Sequence, residues 1–92
     1  MSIDIQKIFF GDEMIDIAVF SGRLKALRNQ AKLTQKQLAE ATGTSERGIQ
    51  NYEGGVRLVD TRTLVKFCVY FDISADYLLG LIDEPKKLQG ED

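Results

Sequence analysis

The 92-residue sequence contains no histidine, no tryptophan, one cysteine and one proline. Without histidine there is no imidazole general base, no His-based triad and none of the commonest metal-ligating side chains. A lone cysteine, Cys68, forms neither an intramolecular disulfide nor a multi-thiolate zinc site. These absences predict a protein that is not an enzyme, holds no cofactor or metal, and works in a reducing, cytoplasmic compartment. No apolar run approaches the roughly 20 residues of a transmembrane helix. No cationic leader precedes an apolar stretch. Neither a membrane partner nor a cleaved secretory signal is therefore expected.

What remains is an ordinary globular mixture, 43% hydrophobic and 28% charged, long enough for one small domain with one modest core. The net charge of −2 conceals a strong segregation. Residues 1–19 carry Lys7 against Asp4, Asp12, Glu13 and Asp16, a net −3. Residues 20–55 carry a net +3, and Arg23, Lys25, Arg28, Lys32 and Lys36 follow one another with no acid between them. Such a run is either a solvated helical face or a patch that attracts a polyanion through its summed field.

The hydropathy pattern divides the chain into an extension at 1–19, a helical body at 20–82 and a polar tail at 83–92. In the extension, Ile3 and Ile5 alternate with Asp4 and Gln6, and Ile15, Ile17 and Val19 alternate with Asp16 and Ala18. Gly11 and Asp12 lie between the two runs. This period predicts a short β-hairpin, which must pack on the body or on another subunit because a lone hairpin is marginal in water. The alternative is that Met14–Phe20 extends the first helix. The tail holds the only proline, Pro85, and is expected to fray.

Five helices are expected in the body. Phe20, Leu24, Leu27 and Ala31 have helical spacing. Thr34 caps the next helix and forms a capping box with Gln37, and Gly43 ends it. Ser45 caps a third helix that turns Ile49 and Tyr52 inward, and Gly54 and Gly55 break it. Asp60 or Thr61 caps a fourth, with Leu64, Phe67, Cys68 and Phe71 on one face. Ser74 caps a short fifth, with Ile73 and Leu78 placed for a hydrophobic staple, and Gly80 stops it. The class is therefore all-α.

The stretch from Gln35 to Tyr52 carries the functional signal. Two short helices separated by Gly43 and Thr44 make a tight helix-turn-helix. Ala39 is small enough to let the helices cross, and Gly43 is free to adopt positive φ. Ile49 and Tyr52 pin the second helix to the body, which leaves Glu46, Arg47, Gln50 and Asn51 pointing outward.

At these positions the sequence resembles the Cro/phage-repressor (XRE-like) helix-turn-helix domain. The resemblance covers about Phe20 to Leu81 through four blocks in order, RLKALR, LTQKQLAEATGTS, IQNYEGG and DISADYLLG. It implies a compact five-helix repressor-like bundle that binds a double-stranded DNA operator, usually as a homodimer, and regulates transcription, most often as a repressor. By the same resemblance, Glu46, Arg47, Gln50 and Asn51 read base edges. Gln35 and Ser45 touch phosphate, Ser45 also capping its helix. Apart from the resemblance, Lys25, Lys36 and Arg57 are expected to hold further phosphates through their charge. Arg28 and Glu53 resemble a structural pair joining the first helix to the end of the third, and Cys68 is a core residue. Gly48 departs from the family, where serine, threonine or alanine is usual; it implies either close backbone approach to DNA or a loosened helix. The acidic extension has no counterpart in the family's minimal domain. It keeps a second reading open: an interaction module on the same scaffold, such as an antitoxin, anti-repressor or complex subunit, with a protein partner at residues 1–19.

Overall fold

The computed structural model describes residues 17–89, which form five helices: α1 (Ile17–Gln30), α2 (Gln35–Thr42), α3 (Glu46–Glu53), α4 (Thr61–Phe71) and α5 (Ala75–Leu78). No strand occurs among the described residues. None of their helices is long and apolar enough to cross a membrane. The all-α bundle expected from the sequence is the observed fold.

Its core is built from every helix. Phe67, Leu24, Leu38, Ile49 and Leu78 are fully buried, and Phe20, Ala39, Tyr52, Cys68 and Ile73 join them. Tyr52 is the hub, with Phe20 on one side and Phe67 on the other in edge-to-face contact at 6.4 and 5.9 Å between ring centroids. That geometry sets the positive ring edge against the negative face of its neighbour. Cys68 lies in this core, and burial pushes its thiol pKa up, as expected of a packing residue.

The helix starts follow the predicted caps. Thr34 Oγ1 accepts from Gln37 N while Thr34 N donates to Gln37 Oε1, closing the capping box. Ser45 Oγ accepts from Gly48 N, and Ser74 Oγ from Tyr77 N. Asp60, rather than Thr61, caps α4 through Thr63 N. Ile73 and Leu78 flank the Ser74 cap inside the core, as a staple requires.

Every helix ends in the same way. The residue immediately after a left-handed position donates its N–H to the carbonyl five residues back: Leu33 to Arg28, Thr44 to Ala39, Val56 to Asn51, Ile73 to Cys68 and Leu81 to Asp76. The intervening residue has positive φ in each case, which is the Schellman arrangement. At Gly43 the φ of 66° is one that a side chain would strain. Lys32 and Asp72 hold comparable angles, 61° and 53°, without being glycine.

Two expectations fail at the ends of the body. The second strand of the predicted hairpin included Ile17 and Val19, yet both lie in the first turn of α1. A tertiary contact overrides the alternation there: Val19 presses on Gly80, where a Cβ would come within 3.0 Å of Val19 Cγ1. The rival reading, a helix extended towards Met14, holds from Ile17 to Phe20. The remainder of the hairpin, and most of the 1–19 extension, lies outside the described residues. The tail was expected to fray, but as far as Gln89 it is tied back. Ser74 N donates to Lys86 O at 2.7 Å, and Gln89 N donates to Asp72 Oδ1 at 3.1 Å.

Candidate nucleic-acid interface

α3 is held from behind and bare in front. Gly48, Ile49 and Tyr52 are buried, whereas Glu46, Arg47 and Gln50 are exposed and Asn51 is half-buried. Glu46 and Gln50 are one helical step apart, as are Arg47 and Asn51, so the four form two adjacent rows on one surface. Glu46 also sits in the first turn of α3, where a carboxylate favours the positive helix end. A local structural reason therefore exists for it alongside any contact it makes.

The orientation of α3 is fixed by side chains from α1 and α2. Ser21, buried on α1, donates its hydroxyl to Tyr52 O. Arg28 grips Glu53 in a two-point ion pair, Nε to Oε2 at 2.6 Å and Nη2 to Oε1 at 3.0 Å, and its Nη1 donates to Leu33 O at 2.8 Å. The bidentate fork makes this the strongest geometry available to such a pair. Gln35 adds a third arm, donating Nε2 to Glu53 Oε1 at 3.1 Å. Gln35 is thus half-buried and braced against the end of α3, with one amide hydrogen-bond role already taken by Glu53.

The remaining predicted phosphate residues surround α3 on separate elements. Ser45 is exposed, with its hydroxyl oxygen engaged as a cap. Lys36 is exposed in the first turn of α2. Lys25 is exposed on α1, one helical step from both Ser21 and Arg28, so it lies beside the side chains that hold α3. Arg57 is exposed in the α3–α4 connection between exposed Val56 and Leu58. Thr63's backbone N–H and hydroxyl hold the Asp60 carboxyl below its ordinary range, and the nearby Arg57 charge adds to this.

The basic run from Arg23 to Lys36 is not a uniform patch. Lys25, Lys32 and Lys36 are exposed, but Arg23 and Arg28 are half-buried and spent on the fold. Arg28 was read as structural from the sequence; Arg23 was not. Its guanidinium stacks over Tyr77, 4.1 Å from the ring centroid, and donates to Tyr77 O and to Ile82 O. Gly48 also departs from both sequence readings. It is buried rather than DNA-facing, in an unbroken helix, and a Cβ there would lie 3.1 Å from Ser45 Oγ. The missing side chain leaves room for the cap.

Lys66 is a further residue that the sequence reading missed. Lys66 on α4 reaches the α2–α3 turn, with Nζ 3.4 Å from Gly43 O. A cation at the carboxy end of α2 complements the helix dipole. The signal was no stronger than a lysine on the polar side of a helix, because the contact joins residues 23 positions apart.

Comparison with known proteins agrees with this geometry. A family model described as a helix-turn-helix domain matches residues 22–84. The HTH-type transcriptional regulator ImmR of Bacillus subtilis is 42% identical over 65 residues, covering 71% of this chain and 51% of that protein. The uncharacterized HTH-type transcriptional regulator YobD of the same organism is 37% identical over 67 residues, covering 73% of this chain and 60% of that protein. The chain thus spans roughly half to three-fifths of the length of these relatives. The crystal structure of the restriction-modification controller protein C.AhdI from Aeromonas hydrophila superposes with a TM-score of 0.64 at 30% identity, covering 68% of this chain and 96% of that one. With the four sequence blocks, the capped helix pair and the matched family model in agreement, the chain belongs to the helix-turn-helix domain family, in its Cro/phage-repressor type.

Proposed function

We propose that this protein is a sequence-specific DNA-binding transcriptional regulator, a cytoplasmic repressor that acts as a homodimer on a double-stranded operator. The observation that carries the reading is the division of α3 into a buried face, pinned by Ile49 and Tyr52, and an exposed polar face. A short helix held in that way lays its first turns in a major groove, where base edges are distinguishable.

The interface works in two parts. Lys25, Lys36 and Arg57 supply charge to the phosphates, and Gln35 and Ser45 contribute polar contacts that set register without reading sequence. Glu46, Arg47, Gln50 and Asn51 meet the bases. Arginine pairs bidentately with guanine, asparagine or glutamine with adenine, and glutamate accepts from cytosine N4. Glu46 repels phosphate, so it selects among bases rather than adding affinity. Two subunits set two such helices about one DNA turn apart, roughly 34–36 Å.

Selection from a randomised duplex pool near physiological salt tests the reading. The expected product is a two-fold-symmetric consensus with half-sites one turn apart. Arg47→Ala should then relax preference at a single position of each half-site, by about 1–3 kcal/mol. A folded protein that enriches no sequence overturns the proposal and leaves the scaffold to protein recognition.

A further inference from the structure

A cleft of about 410 Å³ opens between α1, the α4–α5 turn and the tail around Pro85–Lys87. Leu27, Phe71 and Tyr77 give it apolar walls, and Lys86 and Lys87 give it a cationic rim. Neither lysine has an ion-pair partner among the described residues. Asp72, the carboxylate on its lining, already accepts from Gln89 N. The cleft exists because the tail is tied to Ser74 and Asp72 instead of fraying. It is unconnected with the reading face. Ser21 and Arg28 mark the side of α1 that faces α3, whereas Arg23, Ala26, Leu27 and Gln30 line the cleft. At 100° per residue the two sets lie about 160° apart around the helix.

We propose that the segment Ile8–Glu13 of the same chain docks in this cleft. Its composition is the complement of the site. Ile8, Phe9 and Phe10 match the apolar walls, and Asp12 and Glu13 match Lys86 and Lys87. No other stretch of the sequence joins two adjacent phenylalanines to two adjacent acids. The reach is sufficient. The cleft lines α1 from Arg23 to Gln30, which is about 9 to 20 Å along the axis from Ile17. The seven residues from Phe10 to Asp16 span up to about 25 Å when extended. Docking there covers apolar surface that a monomer otherwise leaves wet and pairs the net −3 of residues 1–19 with cations away from the operator face. It leaves α3 free, so the inference stands or falls independently of DNA binding.

The test uses the full-length chain and amide NMR shifts. Phe9→Ser with Phe10→Ser should move the resonances of Leu27, Tyr77 and Lys86 and leave Arg47 and Gln50 in place. Lys86→Glu with Lys87→Glu should move the same cleft resonances, and adding the two serines should then change little more. Asp12→Cys with Lys87→Cys, in a chain whose native Cys68 is buried, should close a disulfide within one monomer under mild oxidation. Unmoved cleft resonances overturn the proposal. Shifts centred on α3 overturn it in favour of a segment that shields the reading face. A disulfide-linked dimer overturns it in favour of a second copy's segment as the occupant.

Discussion

Two arginines on α1, five residues apart, anchor the two ends of the molecule by different chemistry. Arg28 meets a carboxylate: Glu53, whose side chain is only 4% exposed, takes two of its nitrogens at the end of α3. Arg23 meets carbonyls and a ring at the end of α5, with an ion pair to the fully exposed Asp83 stretched to 3.8 Å. The difference marks two kinds of attachment. At the helix-turn-helix, a charge is committed to a nearly buried partner. At the tail, one side chain gathers the Tyr77 and Ile82 carbonyls, beside the packing of Val19 on Gly80.

Removing each arginine should separate the two cases. Arg28→Ala strands the Glu53 carboxylate with Gln35 as its remaining partner, and loss of one member of a buried pair costs about 3 kcal/mol. Urea unfolding should report that loss, and selective binding to DNA should fall with it because α3 loses its brace. Arg23→Ala removes hydrogen bonds to Tyr77 O and Ile82 O and a cation–π contact. The expected cost is about 1–2 kcal/mol, with faster amide exchange confined to residues 79–89 and operator affinity unchanged. Equal losses from the two variants would erase the distinction.

The same contrast explains what the sequence could disclose. The caps at Thr34, Ser45 and Ser74 and the stop at Gly43 are local chemistry, written within four residues of where they act. The pair Arg28–Glu53 is not local; it was legible only through resemblance to a family. Nothing marked Arg23 off from its exposed neighbours, because its partners lie 54 and 59 residues away. The tail's attachment was hidden for the same reason. Alternation suggested a strand at Ile17 and Val19, and a packing contact with Gly80 decided for helix. Among the candidate base readers, the exposed and buried faces of α3 followed from Ile49 and Tyr52 alone. The occupation of Gln35 by Glu53 required the fold.

Helix ends sharpen the comparison further. Glycine closes α2, α3 and α5, but Lys32 and Asp72 close α1 and α4 in the same left-handed conformation. That conformation costs a residue with a side chain about 1–2 kcal/mol, part of which glycine returns by gaining freedom in the unfolded chain. Lys32→Gly should therefore stabilise the protein by about 0.5–1 kcal/mol, read as a raised urea midpoint. Asp72→Gly should give no gain, because its carboxylate accepts the Gln89 amide that holds the tail. A gain at both positions would show that this tie contributes nothing.

The smallest effect concerns Gly48, where two local preferences oppose one another inside the helix that carries the proposed reading face. Alanine raises helix propensity by about 1 kcal/mol. Its Cβ also arrives 3.1 Å from Ser45 Oγ, so the hydroxyl must shift from its bond to the residue 48 amide. Weakening a cap typically costs about 1 kcal/mol, so the net change from Gly48→Ala should stay within about 0.5 kcal/mol. The cancellation is separable. In a Ser45→Ala background the hydroxyl is absent and nothing opposes the new methyl, so the same substitution should now stabilise by about 1 kcal/mol. The difference between the two backgrounds is the coupling energy of cap and glycine. A coupling of zero would mean that Gly48 is not there to make room for Ser45.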